Sequence, residues 1–174
     1  TCTDEVFELM RMGKSRAQIS VVPCGVDTDL FRPEGPIAEK SAKHRILCVG
    51  RFLPRKGFGD MIRAMPSIPN AELVIVGGQD EADRESDPEA CRLRDLAKEL
   101  GVSRRVHLRG PIAREDMPAL LRSADVVACT AWYEPFGLVA LEAMACGVPV
   151  VASAVGGMLD TVIDDVTGRL IPPK

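Results

Sequence analysis

From Arg45 onward the chain alternates short apolar runs with amphipathic segments, the signature of β-α units feeding a parallel sheet. The apolar runs predict strands over Arg45 to Gly50, Glu72 to Val76, Arg105 to Leu108, Val126 to Cys129, Val148 to Ala152 and Arg169 to Ile171. Between them, Phe58, Met61, Ile62 and Met65 fall at i, i+3, i+4 and i+7, as do Leu93, Leu96, Ala97 and Leu100. Each of these segments can therefore lay an apolar stripe on a sheet, and Met117, Leu120 and Leu121 repeat the pattern. Gly101 stands where a left-handed helix end is expected, and Pro149 is tolerated because it begins its strand. Together these features predict an α/β fold, a Rossmann-like doubly wound parallel sheet of about six strands in the order 3-2-1-4-5-6.

The first forty residues carry a different pattern. Glu5 to Met12 reads as one helix and Ile19 to Val22 as one short strand, while the stretch through Asp27, Phe31, Pro33, Gly35 and Pro36 reads as a linker. Later in the chain, Gln79 to Pro88 is rich in acids and reads as a solvated surface loop.

With 174 residues, of which 46% are hydrophobic, the chain can bury one core. A formal charge of −3 excludes a sequence-independent grip on nucleic acid, which needs a basic face. No run approaches the ~18 apolar residues of a membrane span, and the opening Thr-Cys-Thr-Asp-Glu lacks the basic and apolar regions of a secretory leader. The chain reads as soluble, which leaves open peripheral membrane contact by a longer protein. Cysteines 2, 24, 48, 91, 129 and 146 form no C-x-x-C pair and have no histidine spaced for zinc. Several fall in apolar runs, which points to reduced thiols in a cytoplasmic compartment. His44 and His107 read as packed or partly exposed residues rather than ligands.

Candidate chemistry concentrates in Glu134-Pro-Phe-Gly-Leu-Val-Ala-Leu-Glu142. Pro135 biases Glu134 out of the helical region, and Phe136 and Gly137 can open a helix that continues through good helix formers. Glu134 then sits in a loop and Glu142 inside the helix, on the order of 10 Å apart at ~1.5 Å per residue. The amides of Gly137, Leu138 and Val139 point outward at the helix start, where unpaired N–H groups attract anions. A diphosphate there would be flanked by carboxylates able to accept hydrogen bonds from sugar hydroxyls. The other candidate group, Arg51 to Gly57, follows the first strand, and Thr130 to Gly137 follows the fourth, so both fall at the carboxyl ends of strands, where doubly wound sheets bind ligands. No G-x-G-x-x-G follows the first strand, which removes a nicotinamide dehydrogenase from consideration, and no P-loop pattern occurs. Asp27-Thr28-Asp29 has a D-x-D spacing but lies in the linker, where aspartates make local hydrogen bonds. We read it as structural and expect no metal site.

These residues resemble a known family. Gly50-Arg51-Phe-Leu-Pro-Arg-Lys56-Gly57, the paired glutamates and Gly147-Val-Pro-Val-Val-Ala-Ser-Ala-Val-Gly156-Gly157 occur in the order found in the donor-binding half of retaining glycosyltransferases of family 4, the glycosyl transferases group 1, which have the GT-B fold. The resemblance covers nearly the whole chain. It implies that Arg51 and Lys56 hold the diphosphate leaving group in place of a metal, so that no cofactor is obligatory. It further implies that Glu134 holds hydroxyls of the transferred sugar, Glu142 holds the ribose diol, and Phe136 to Val139 cradle the donor. A glycoside hydrolase would instead set its two carboxylates across one anomeric carbon. Ile112, after the third strand, either reads the base through its backbone or acts as a helix-entry staple. Gly156 and Gly157 make a sharp turn or approach the ligand, and Trp132 and Tyr133 wall the sugar pocket or cover the sheet end. The phrase Val21 to Pro33 resembles the connection between acceptor and donor domains. The resemblance thus divides the chain into residues 1–40, the end of the acceptor region and the linker, and residues 41–174, a donor domain lacking the return helix and the N-terminal acceptor domain. The implied activity is transfer of a hexosyl group from a UDP-, GDP- or ADP-sugar to a hydroxyl acceptor. The alternatives are a sugar-nucleotide-binding or regulatory module without transferase activity, and a GT-B phosphorylase or epimerase. The loop after Gly78 and the Trp-Tyr-Glu-Pro-Phe-Gly context are similar to sucrose-phosphate and inositol-phosphate glycosyltransferases.

Overall fold

Val, Ile and Leu in unbroken runs have no polar face to show to water, so strands built from them need cover on both sides. The computed structural model, which describes residues 2–78 and 86–173, provides that cover. Six strands, β1 (His44–Val49), β2 (Ala71–Val76), β3 (Val106–Arg109), β4 (Val126–Cys129), β5 (Val150–Ser153) and β6 (Gly168–Ile171), form one sheet in the order β3-β2-β1-β4-β5-β6. Every pairing is parallel, with Leu47 opposite both Val74 and Val127. The strand order and all six strands match the expectation to within two residues. Pro149 precedes β5 rather than opening it, and its carbonyl accepts from Val127 N–H.

Successive side chains alternate between two cores. On one face, Leu47, Val74 and Val127 pack with Leu120 and Leu121 of α4 (Met117–Arg122) and Ala140 and Ala143 of α5 (Leu138–Ala145). On the other, Ile46, Cys48, Leu73 and Ile75 meet Ile62 of α2 (Phe58–Ala64) and Leu93 and Ala97 of α3 (Pro88–Glu99). The acidic loop expected from Gln79 lies, over residues 79–85, outside the described residues; its last residue, Pro88, opens α3 behind an Asp87 cap that accepts from Ala90 N–H.

The linker is built into the body. Phe31 is 1% exposed within the first core, and Arg122 donates to the carbonyls of Arg32 and Pro36. At the amino ends of the strands, the buried Arg45 and Glu72 form an ion pair at 2.8 Å. Arg45 also donates to Ser123 Oγ, and Glu72 accepts from the Ser41 amide and hydroxyl. Burial alone would raise the Glu72 pKa, but the hydrogen bonds from Ser41 and Arg45 outweigh it and leave it lowered. His107 lies 3.5 Å from the same carboxylate.

The N-terminal segment forms α1 (Thr3–Arg11), anchored by buried Cys2 and Val6. Ile19 to Val22 is not a strand. Val22 is 74% exposed, and among the described residues the segment has no strand partner. A strand needs a neighbour to satisfy its ladder, and an apolar run by itself does not supply one. In the linker, Asp27 Oδ1 accepts from the amides of Asp29 and Leu30, the local turn expected of that D-x-D sequence. The six cysteines form no disulfide among the described residues. No helix among the described residues is long and apolar enough to cross a membrane.

Candidate functional site

The winding of the sheet reverses between β1 and β4, so the loops leaving their carboxyl ends diverge and open a crevice. Close backbone contacts join these two loops. Gly57 adopts a left-handed conformation (φ 70°), and a Cβ there would lie 2.0 Å from the Thr130 carbonyl oxygen. Only glycine allows that approach. Thr130 Oγ1 donates to Gly57 O at 3.1 Å, Trp132 N–H donates to Arg55 O, and Arg55 Nη1 donates to Tyr133 O. Arg55 thus acts as a brace between the loops.

The result is a contact between two predicted site residues far apart in the sequence. Lys56 Nζ lies 2.6 Å from Glu134 Oε2, and both side chains are largely shielded from solvent. They line a cleft of about 260 Å³ together with Phe136, Gly137, Leu138, Val139 and Met158. Cys129 lies in the same wall, but burial pushes its thiol up to about 12, with the Glu134 charge adding and Lys56 opposing. It therefore stays protonated and is no nucleophile.

Helix α5 begins where expected. Gly137 (φ 92°) is its N-cap and brings no capping side chain. The first-turn amides consequently remain without a side-chain partner at the mouth of the cleft. Glu142, one turn further along, is half-buried. Burial raises its pKa, and Arg114, 3.6 Å away, opposes that rise. The Arg114 guanidinium lies 5.2 Å from the centre of the Phe31 ring. Ile112 packs its side chain against the core beneath α5, while its N–H and C=O make no hydrogen bond among the described residues.

The structure unites Lys56, Glu134 and Phe136 to Val139 in one cleft, and sets Glu142 and Ile112 outside its lining. Arg51 is exposed on the β1 loop, without an ion pair or hydrogen bond among the described residues. Trp132 and Tyr133 are about half exposed and line no part of the cleft.

Gly156 and Gly157 make the sharp turn expected of them, with Gly156 left-handed (φ 49°), and that turn also brings them against the Glu134 loop. A Cβ at Gly156 would meet Glu134 O at 2.3 Å, and one at Gly157 would meet Phe136 Cα at 2.4 Å. The Gly157 amide donates to Glu134 O, and Thr161 of α6 (Met158–Thr161) donates to Phe136 O at 3.0 Å. The two glycines therefore let a short helix press on the loop that carries Glu134. Thr161 and Arg114 were not evident from sequence. A helix of four residues is too short to show a period, and a lone arginine in a polar stretch carries no signal.

A largely shielded cation, a carboxylate and an uncapped helix start in one cleft can hold an anionic group joined to a polyol. Comparison with known proteins gives this arrangement a context. The family model for glycosyl transferases group 1 matches residues 31–174. The D-inositol 3-phosphate glycosyltransferase of Mycobacterium tuberculosis (strain ATCC 25618 / H37Rv) is 39% identical over 97% of this chain, which spans 36% of that relative. Among solved structures, the sucrose-phosphate synthase of Thermosynechococcus elongatus superposes with a TM-score of 0.84 at 37% identity, over 100% of this chain and 45% of its own. Anabaena HepE in complex with UDP and glucose gives a TM-score of 0.85 at 26% identity, over 99% of this chain and 48% of its own. The chain thus spans less than half the length of each relative, and it belongs to the glycosyl transferases group 1 family.

Proposed function

We propose that this chain is the donor-binding part of a retaining glycosyltransferase that moves a hexosyl group from a nucleoside diphosphate sugar to a hydroxyl acceptor. In this reading residues 1–40 end an acceptor-side region and link it to a donor domain at 41–174, and the acceptor is held by a separate N-terminal domain. The observation that carries the reading is the contact between Lys56 and Glu134. A cation suited to phosphate and a carboxylate suited to hydroxyls meet at one point, which is what the junction between a sugar and its diphosphate requires. The amides of Gly137, Leu138 and Val139 lie beside that point to take phosphate oxygens. Arg51 on the β1 loop adds a second cation and Glu142 holds the ribose diol.

Catalysis then follows from charge. As the bond between the anomeric carbon and the phosphate oxygen breaks, negative charge gathers on the departing diphosphate, and fixed cations stabilise that charge more than they stabilise the ground state. Lys56 and Arg51 do this without an obligatory metal. UDP is the first nucleotide to test, because the HepE structure contains it.

Calorimetric titration of the 174-residue chain with UDP, GDP, ADP and UDP-glucose tests the proposal. One nucleoside diphosphate should bind, and Lys56→Ala should weaken it ~30-fold or more, the scale of a lost charge-assisted contact of ~2 kcal/mol. Glu134→Gln should weaken the sugar conjugate while changing the plain diphosphate less than ~3-fold, since its partner is the sugar. A folded chain that binds none of these ligands would overturn the reading.

A further inference from the structure

Glu142 and Glu134 meet their cations differently. Glu134 accepts a hydrogen bond from Lys56 at 2.6 Å, so one of its oxygens is engaged. The nearest approach of Arg114 to Glu142 is 3.6 Å, beyond hydrogen-bonding distance. Arg114 therefore supplies charge without using an acceptor site, and neither Glu142 oxygen is hydrogen-bonded among the described residues. No polar side-chain atom among the described residues is both buried and unpartnered, so these oxygens open outward rather than being sealed in the core. Their vacant lone pairs are those a ligand with adjacent hydroxyls would fill. The arginine, 58% exposed, lies over the face of Phe31, a ring 1% exposed in the core, and this contact favours its position from the linker side.

We propose that Arg114 is a positioning residue of the donor site: from its seat on Phe31 it gives Glu142 a counter-charge while leaving both carboxylate oxygens open to the ribose diol. This rests on the donor-site reading above. Lysine can supply the charge but does not stack as well on the ring, and an apolar residue supplies neither. The other titratable groups on elements around α5 are Asp116 and Arg122 at the ends of α4, Cys129 on β4, Cys146 at the end of α5 and Asp160 on α6. Arg114 is the group whose charge opposes burial at Glu142.

The consequence is a pH signature. A carboxylate already raised by burial rises further when its cation is removed, so it protonates at higher pH and loses its acceptor capacity sooner as the solution is acidified. UDP affinity of the 174-residue chain is to be measured from about pH 5 to 8, with GDP and ADP as parallel probes, for the wild type, Arg114→Met and Arg114→Lys. In Arg114→Met the acid limb of the affinity profile should move to higher pH, with up to ~10-fold weaker binding at the acid end for each further unit of rise. Near pH 8 the loss should stay within ~3-fold. Arg114→Lys should restore most of the limb. In a Glu142→Gln background, which also controls for titration of the nucleotide itself, Arg114→Met should have no pH-dependent effect. A loss of equal size at every pH, in variants whose melting shows them folded, would mean that Arg114 is only a packing residue and would overturn the inference. If the wild type binds none of the three nucleotides, the donor-site reading itself fails and this inference falls with it.

Discussion

Two glycines at the site have left-handed backbones but different neighbours, and the difference sets what each tolerates. At Gly57 the obstacle to a Cβ is the Thr130 carbonyl oxygen at 2.0 Å, part of a backbone that also carries β4 into the Glu134 loop. At Gly137 it is the tip of the Met158 side chain at 2.8 Å, which can rotate away. Gly137→Ala should therefore cost about 1–2 kcal/mol, the left-handed penalty alone. Gly57→Ala should cost more than that, because the two loops must also separate, and it should remove Lys56 from Glu134. Urea unfolding of both variants checks the ranking; equal midpoints would mean that the loops are not coupled through Gly57. The candidate site residues legible in the sequence were those with a motif around them: Lys56 beside its glycine, Glu134 before its proline, and the helix start at Gly137. Arg114 and Thr161 stayed hidden because their importance comes only from which element the fold brings alongside them.

At the scale of elements, the sheet was readable because its inner strands are apolar runs largely buried on both faces, and because the segments at Phe58–Ala64 and Pro88–Glu99 carry an apolar stripe at helical spacing. Residues 19–22 show the opposite case, in which apolar content exists without a neighbouring edge. The Arg45–Glu72 pair was likewise invisible, since a charged residue at each strand start looks like a solvated end. In the structure this pair secures Ser41 and the Glu39 carbonyl to β1 and β2, closing the linker against the sheet. Removing one partner leaves the other charged and buried, so Glu72→Ala should destabilise the chain by about 3–5 kcal/mol in urea unfolding. The pH dependence has a definite sign. The folded-state pKa of Glu72 is depressed, so its contribution is fully present above the ordinary glutamate value near ~4.3 and is lost as pH falls through the lower folded value. Acid unfolding of the wild type should therefore lose stability over that window, and Glu72→Ala should flatten the slope there. A variant with the same slope would assign the acid sensitivity to other carboxylates.

The whole molecule carries its exposed apolar surface in particular places. On α1 and just beyond it, Phe7, Leu9, Met10 and Met12 are 56%, 40%, 42% and 78% exposed, although Val6 on the same helix is buried. Trp132 and Tyr133 are exposed beside the cleft, and a groove lined by Leu9, Ile19 and Val21 reaches Tyr133. The α1 amide of Thr3 donates to Asp160 on α6, the helix that supports the Glu134 loop, so this apolar surface adjoins the site. Scattered apolar side chains are ordinary, but a cluster that adjoins the candidate cleft is a candidate contact surface. Isolated in water, it should drive weak, concentration-dependent self-association, seen as a rising average mass in sedimentation as the chain is concentrated toward ~0.5 mM. Phe7→Glu and Met12→Glu should suppress it without changing the unfolding free energy by more than ~0.5 kcal/mol, since neither side chain is buried. If the chain stays monomeric over that range, this surface is too dispersed to act as a unit. If it associates and the two variants do not reduce it, the adhesive surface lies elsewhere, and Leu159, Ile163 and Val166 after β5, all more than half exposed, are the next residues to change.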